Sequence, residues 1–534
     1  MSSRREFLKI SQAIGLSIAT APFISSCHEE KTINGKIVGG NAALGHRLRT
    51  MDFPAPSETI RKEVVIVGGG IAGLSAARYL SKKNIDFALL ELETNSGGNS
   101  ASGKNATSAF PWGAHYLPLP SNADEELISF LQEENVITGV SHGLPTYNEY
   151  YLCHDPKERL FINNFWQEGI VPHEGVPKKD REEIQKFLEM MNTFKNKTGT
   201  DGKPAFAIPV DTSSTDLAFT SLDKMSAKAF LSANGFSSEY LLWYVSYCCA
   251  DDFGTSLETT SAWAMIHYFA SRRGKASNAG FDTVLTWPEG NAWLAKQLIK
   301  GFSDRIICNT LCYNISMKDQ GVQCRIFDAQ SGTSKIIEAK KVILCTPQFI
   351  NKRLLTGVTR SIDYNSFQYA PWMVANITTN HSLTEKRGEP LCWDNVFYGS
   401  DSLGYVNATH QEVGIPSGKK VITYYKPLAS TTPAIARQQA YTKDFAQWST
   451  EIFADLTRAH KDIRDYVEEM NVWLWGHGMI TPSPGFTWSD NRRNAATPLH
   501  DKIFFAHSDL SGLSIFEEAF YRGHQAAKAA LQYG

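Results

Sequence analysis

The stretch KEVVIVGGGIAGLSAARYLSKKNIDFALLELE, Lys62 to Glu93, constrains this chain most. Glu63 to Val67 is short, apolar and β-branched, which reads as a buried strand. Ile71 to Lys83 has helical periodicity with small residues along one side, and Phe87 to Leu92 reads as a second buried strand. A strand, turn, helix and strand in this order begin a parallel α/β sheet. Gly68, Gly70 and Gly73 occupy the turn in the pattern G-x-G-x-x-G. Glycines there permit a tight turn, close approach of backbone to a pyrophosphate, and close packing of helix on sheet. The helix then starts at Ile71 and Ala72, where free N–H groups and a partial positive charge attract an anion. An acid is expected about 20 residues on, at the end of the second strand, to hold a ribose. Glu91 stands there. The motif in this context predicts a dinucleotide site.

At 534 residues the chain is long enough for two or three domains. Its 42% apolar and 20% charged residues can bury a large core, and 11% aromatics suit either that core or a large pocket. The net charge of −2 gives no basic excess for a nucleic-acid partner. Helical patterns dominate from about 121 to 285. Asn291 is placed to cap the helix AWLAKQLIK, and short alternating strands follow up to KKVILCTP. From about 361 to 490 strands mix with aromatic-rich loops, and the chain ends in a helix, FEEAFYRGHQAAKAAL.

The first residues read as an address. SRREFLK precedes the apolar stretch Ile10 to Phe23, which is too short and too polar to span a bilayer and fits a signal segment. Its end, Ile24-Ser25-Ser26-Cys27, is similar to a bacterial lipobox, so Cys27 is a candidate lipid anchor. The later cysteines include no CxxC and suggest neither a zinc site nor a small disulfide framework. One or two disulfides remain open after export. GNSASGKN, Gly98 to Asn105, nearly matches a phosphate-binding P-loop, but Asn105 stands where the metal-binding hydroxyl belongs and Pro111 follows too soon for a helix.

Several blocks in order extend the glycine motif: Gly97-Gly98, Gly113-Ala114-His115, Asn309-x-x-Cys312, KKVILCTP, and the tail HSDLSGLSIFEEAFYRGHQAA. Together with a leader similar to twin-arginine signals, they resemble the flavin-dependent amine oxidase superfamily, which includes protoporphyrinogen oxidase and phytoene desaturase. The resemblance implies FAD. Gly97, Gly98 and Asn99 would follow the ribose-binding acid, and Gly113, Ala114 and His115 would lie beside the flavin. Backbone at Cys312 would meet the adenine, and Asp509 would hold the ribityl chain. Ser514, Ile515 and Phe516 would bring the last helix to the isoalloxazine. The family's anchoring cysteine has no counterpart in the tail, which implies non-covalent FAD. Export of a folded protein agrees with a cofactor loaded in the cytoplasm, and places the product in the periplasm or cell envelope.

The chain departs from the pattern in two places. Asn99 replaces an arginine, and the stretch YAPWMVANITTN has Met373 and Val374 where amine oxidases carry a lysine. His115 and Trp475 are the candidate catalytic residues. Glu517 and Glu518 open the last helix, where acids complement the dipole. No metal site is expected.

The expected fold is α/β. A Rossmann-like FAD domain spans 61–120, 285–360 and 490–534. A mixed α+β substrate domain takes 121–284 and 361–489, behind a signal at 1–27 and a linker at 28–60. The expected activity is oxidation of a C–N or C–C bond by hydride transfer to flavin N5. The substrate is a small molecule, and oxygen or another acceptor reoxidises the flavin. The alternatives are a desaturase or isomerase acting on a polyene or tetrapyrrole, and a non-catalytic flavin-binding scaffold.

Overall fold

The computed structural model describes residues 33–412 and 418–532. The leader, with its arginine pair and Cys27, lies outside the described residues. Two large sheets organise the rest. The first has seven strands, and its parallel part runs in the order Ile306–Ile307, Phe87–Leu90, Pro56–Val67, Thr333–Leu344. The long strand Thr333–Leu344 also pairs antiparallel with Gly321–Asp328 and, through its last three residues, parallel with Ile503–Phe505. Val64 to Val67 and Phe87 to Leu90 are buried because helices or loops cover both faces of this sheet, as continuous apolar runs require.

Helices Ile71–Lys82 and Phe516–Gln532 pack on one face, with Leu74, Ala77, Phe520 and Ala527 in a common core. They approach so closely that a Cβ on Gly523 would lie 2.0 Å from the carbonyl oxygen of Ala72. The C-terminal helix is thereby held beside the glycine turn, although 445 residues separate Ser75 from Phe520, whose carbonyl accepts the Ser75 hydroxyl at 2.7 Å.

The second sheet has eight strands: Asn34–Gly39, Val467–Ile480, Tyr369–Thr379, Lys420–Pro427, Gly404–Asn407, Asp394–Phe397, Glu158–Ile162 and Phe165–Glu168. Its strand Tyr369–Thr379 is buried at every position. Helices Lys178–Lys195, Glu239–Phe253 and Ala262–Ala270 share an aromatic-rich core that includes Phe187, Phe206, Phe253 and Trp263. Among the described residues no helix is long and apolar enough to cross a membrane.

Three expectations need correction. The linker at 28–60 is ordered from Asn34 onward. Its residues form a strand, then the helix Ala42–Thr50, and the first nucleotide-sheet strand begins at Pro56 rather than near residue 61. The strand exists because Val467–Ile480 supplies its hydrogen-bond partners, which no local pattern reveals. The described cysteines are all free, so none of them forms a disulfide. Asn291 does not cap its helix by side chain; its Nδ2 donates to the Tyr116 carbonyl at 2.8 Å.

Candidate functional site

The glycine turn is built as a cradle. Gly68 has φ +103°, and a Cβ on Gly73 would fall 1.9 Å from the Gly68 carbonyl oxygen, so the helix can start this close to its own turn only with glycine there. Gly70 precedes the helix without any side-chain cap, which leaves first-turn N–H groups available to a ligand. Gly69 donates its N–H to Oε2 of Glu91 at 2.7 Å, and Glu93 donates to Oε1 at 2.8 Å. Burial pushes the Glu91 carboxyl up to about 7, against the pull of these N–H groups. Gly97 crosses beside the turn, its N–H donating to Gly69 at 2.8 Å. A Cβ on Gly98 would come within 3.1 Å of Gly70 Cα.

A cavity of about 350 Å³ opens over this turn. Gly68, Gly70, Ile71, Ala72 and Glu91 form its floor. Gly97, Gly98, Asn99 and Ala114 form one wall, and Cys312 stands toward the Glu91 end. Asp509, Ser514, Ile515 and Phe516 close the far side. Gly73 does not reach the wall; it packs the helix. Asp509 is fully buried. Its Oδ2 accepts the Gln348 N–H at 2.9 Å and the Tyr369 hydroxyl. His507 Nδ1 lies 2.6 Å from its Oδ1.

A second cavity of about 150 Å³ adjoins the first. Asn99, Ala114, Gly478, Ser514, Ile515 and Phe516 line both. Gly113, His115 and Trp475 face this second cavity. His115 stacks on Tyr425 with ring centroids 4.6 Å apart and meets the Trp393 ring at 5.5 Å. Burial lowers its pKa to about 4, so the imidazole is neutral near pH 7 and a weak proton acceptor. Trp475 donates Nε1–H to the Trp112 carbonyl at 2.6 Å, which fixes its ring, and Trp372 completes the aromatic wall. Among the described residues no lysine lines either cavity, and Val374 faces the second one.

The second cavity carries charge that local sequence did not reveal. Asp251, Asp252, Arg272 and Glu517 line it. Arg272 pairs with Asp252 at 2.7 Å. Asp251 accepts from the Tyr116 hydroxyl at 3.5 Å, and burial with the neighbouring Asp252 raises its carboxyl to about 7 against the pull of Arg272. Glu517 is 3% exposed, and burial raises it to about 7 as well. Glu518, also buried and raised to about 7, accepts the Val210 N–H at 2.6 Å. The acids at the start of the last helix are therefore buried in the interior. Asp251 and Asp252 sit at the end of the helix Glu239–Phe253 and Arg272 just beyond Ala262–Ala270; no short motif marks them.

The glycine cradle, the two helix starts and the acid at Glu91 fit a dinucleotide. A model of the NAD(P)-binding Rossmann-like domain family matches residues 66–133. A flavin-containing amine oxidase of Oncorhynchus mykiss is 21% identical over 307 residues, covering 55% of this chain and 51% of that relative. A thiamine thiazole synthase of Methanococcus vannielii is 34% identical over 71 residues, 13% of this chain and 27% of that relative. The chain thus spans about half of the first relative and about a quarter of the second. Among solved structures, a redesigned putrescine oxidase superposes with TM-score 0.63 at 14% identity, covering 89% of this chain and 100% of that one. Cyclohexylamine oxidase from Brevibacterium oxydans gives 0.62 at 12% identity, covering 88% and 99%. The fold is that of these amine oxidases. Within it, a Rossmann-like nucleotide domain adjoins a domain built on a mixed sheet, and the two cavities meet at Ser514 to Phe516.

Proposed function

We propose that this chain is an FAD-dependent oxidoreductase that oxidises the C–N bond of an amine. The 350 Å³ cavity is read as the cofactor site and the 150 Å³ cavity as the substrate site. The observation that carries the reading is an excess of acid: Asp251, Asp252 and Glu517 line the second cavity with Arg272 as their shared cation. Arg272 is engaged by Asp252. Buried acids left in this state favour a ligand that brings positive charge. An apolar polyene would desolvate Asp251 and Glu517 without adding charge to balance them, at a cost that makes it the poorer occupant.

A bound flavin supplies the hydride acceptor. The first-turn N–H groups at Gly70 to Ala72 are placed for its pyrophosphate, and the Glu91 carboxylate for ribose hydroxyls. Trp372, Tyr425 and Trp475 hold the substrate and exclude water. Asp251 and Glu517 accept hydrogen bonds from the ammonium. With its carboxyl near 7, Glu517 is poised to take the proton that the amine must lose before its C–H bond is oxidised. His115 keeps its neutral ring against Tyr425 and helps shape the wall. Export, with a lipid anchor at Cys27, remains a reading supported by the leader sequence alone.

The test is the visible spectrum of the purified protein, followed by anaerobic mixing with primary amines and diamines on one side and carotenoids on the other. A flavin spectrum bleached by amines is the expected result. Bleaching by polyenes alone would replace the substrate class, and a folded protein that binds no FAD would remove the oxidoreductase reading.

A further inference from the structure

We infer that Asn34–Met51 is a strap across the cofactor cavity, and that its docking and cofactor binding are linked. The inference rests on reading the larger cavity as the cofactor site. The strap touches both halves of the fold. Its strand Asn34–Gly39 adds to the edge of the second sheet, in parallel register from Asn34 beside Glu469 to Gly39 beside Leu474. Its turn then crosses to the nucleotide side, where Asn41 donates its N–H to Oε1 of Glu93 at 2.7 Å. Glu93 lies two residues beyond Glu91.

The helix Ala42–Thr50 starts with the Asn41 side chain accepting the Leu44 N–H at 3.0 Å and stops at Met51, φ +55°. Leu44 and Leu48 are buried against the nucleotide-sheet core with Val67, Leu90 and Leu311. Gly45 and Leu48 line the cavity itself, as do Leu311 and Cys312. A Cβ on Gly45 would meet nothing within 4 Å, so this helix face looks into open space rather than onto protein. Beyond Met51 the chain is pinned. Phe53 stacks on Tyr313 at 4.1 Å between centroids, and the Arg47 guanidinium lies over Phe327.

These attachments are unequal. The pin at Phe53 holds the segment next to the nucleotide sheet, whereas the helix is nine residues long and is held by two buried side chains and the Arg47 contact with Phe53 and Phe327. A helix this short is marginal by itself and keeps its structure only through packing. Docking of the strap is therefore among the first parts of the fold to open. A cofactor filling the cavity gives Gly45 and Leu48 a second surface, so binding strengthens docking. By thermodynamic reciprocity, docking strengthens binding by the same factor. The strap would then act mainly on cofactor release, since departure requires it to lift.

Amide hydrogen exchange of the full chain, with and without FAD, tests this directly. Protection of residues 42–50 should rise at least tenfold on loading, and FAD release, followed by flavin fluorescence, should quicken at least tenfold in Leu48→Ala. Should Leu48→Ala fail to fold, Glu93→Gln loosens the other attachment and is expected to act in the same direction. A protein that binds FAD while residues 42–50 exchange alike in both forms, with unchanged release in the variants, overturns the strap and leaves the cofactor reading standing. A folded chain that takes up no FAD removes both.

Discussion

Gly69 donates its backbone N–H to the Glu91 carboxylate at 2.7 Å, so the glycine turn is held by the acid at the end of the neighbouring strand. Burial raises Glu91 to about 7, which makes this contact sensitive to pH. The ionised form is the one that accepts from both Gly69 and a ribose hydroxyl. FAD affinity is therefore expected to fall as pH drops from 8 to 6, by up to about tenfold per unit where a single deprotonation is required. Fluorescence-quenching titrations at both pH values measure this. In Glu91→Gln the slope should flatten; a variant with the wild-type slope assigns the pH dependence to another group.

Glu517 sets stability against function. Its carboxyl is raised from 4.5 to about 7 by burial, so the native state holds a proton that the unfolded chain has released between those values. Stability of the substrate-free protein falls as pH rises from 4.5 through 7 and stays low above that. The raised value corresponds to roughly 3 kcal/mol. Glu517→Gln should accordingly raise the melting temperature at pH 8 while weakening cationic substrates. Loss of one charge-assisted hydrogen bond, about 1.5–3 kcal/mol, predicts a rise in KM of roughly tenfold to a hundredfold. Asp251→Asn should act on KM in the same direction. A Glu517→Gln enzyme with unchanged KM for amines would count against the ammonium contact.

Gly523 marks the close approach of the last helix to the helix Ile71–Lys82. An added Cβ would stand 2.0 Å from the Ala72 carbonyl oxygen, backbone that cannot swing aside. Gly523→Ala must push the two helices apart and with them Phe516 from the glycine turn. Overpacking costs about 1–3 kcal/mol, and flavin content should drop along with the melting temperature. Retention of both would mean that the helices give way more easily than their packing suggests.

Arg159 organises the far edge of the second sheet. Its fully buried guanidinium donates to Asn395 and Glu385 at 2.6 Å each, to the Glu389 carbonyl at 2.8 Å and to Tyr405 at 3.1 Å, and lies over the Trp166 ring. Arg159→Met is expected to lose roughly 3 kcal/mol, because several polar groups inside the sheet would lose their partner. Urea denaturation measures it, and flavin absorbance of the folded fraction should be unaffected, since Arg159 lines neither cavity.

The nucleotide half was legible because its signals are local. The strand before Gly68, the helix after Gly70 and the acid at Glu91 lie within one short stretch, and backbone geometry at a phosphate-binding turn tolerates few residue types. The tail at Asp509 to Phe516 could be placed by resemblance for the same reason. The order of Asn34 to Met51 was not legible, since its strand depends on hydrogen bonds from residues more than 430 positions away. Asn41 before an apolar-spaced Leu44 and Leu48 was an available signal for the helix.

By itself the sequence determined the Rossmann-like turn, because its glycines and the strand-end acid act through steric and hydrogen-bonding rules within a short stretch of chain. Only the tertiary structure decided what faces the substrate. Asp251, Arg272, Tyr425 and Glu517 come from four separate segments, and their charge and exposure are set by how those segments pack. The same carboxylate that reads as a helix-dipole partner in the sequence becomes a proton-holding group near pH 7 once the fold removes its water.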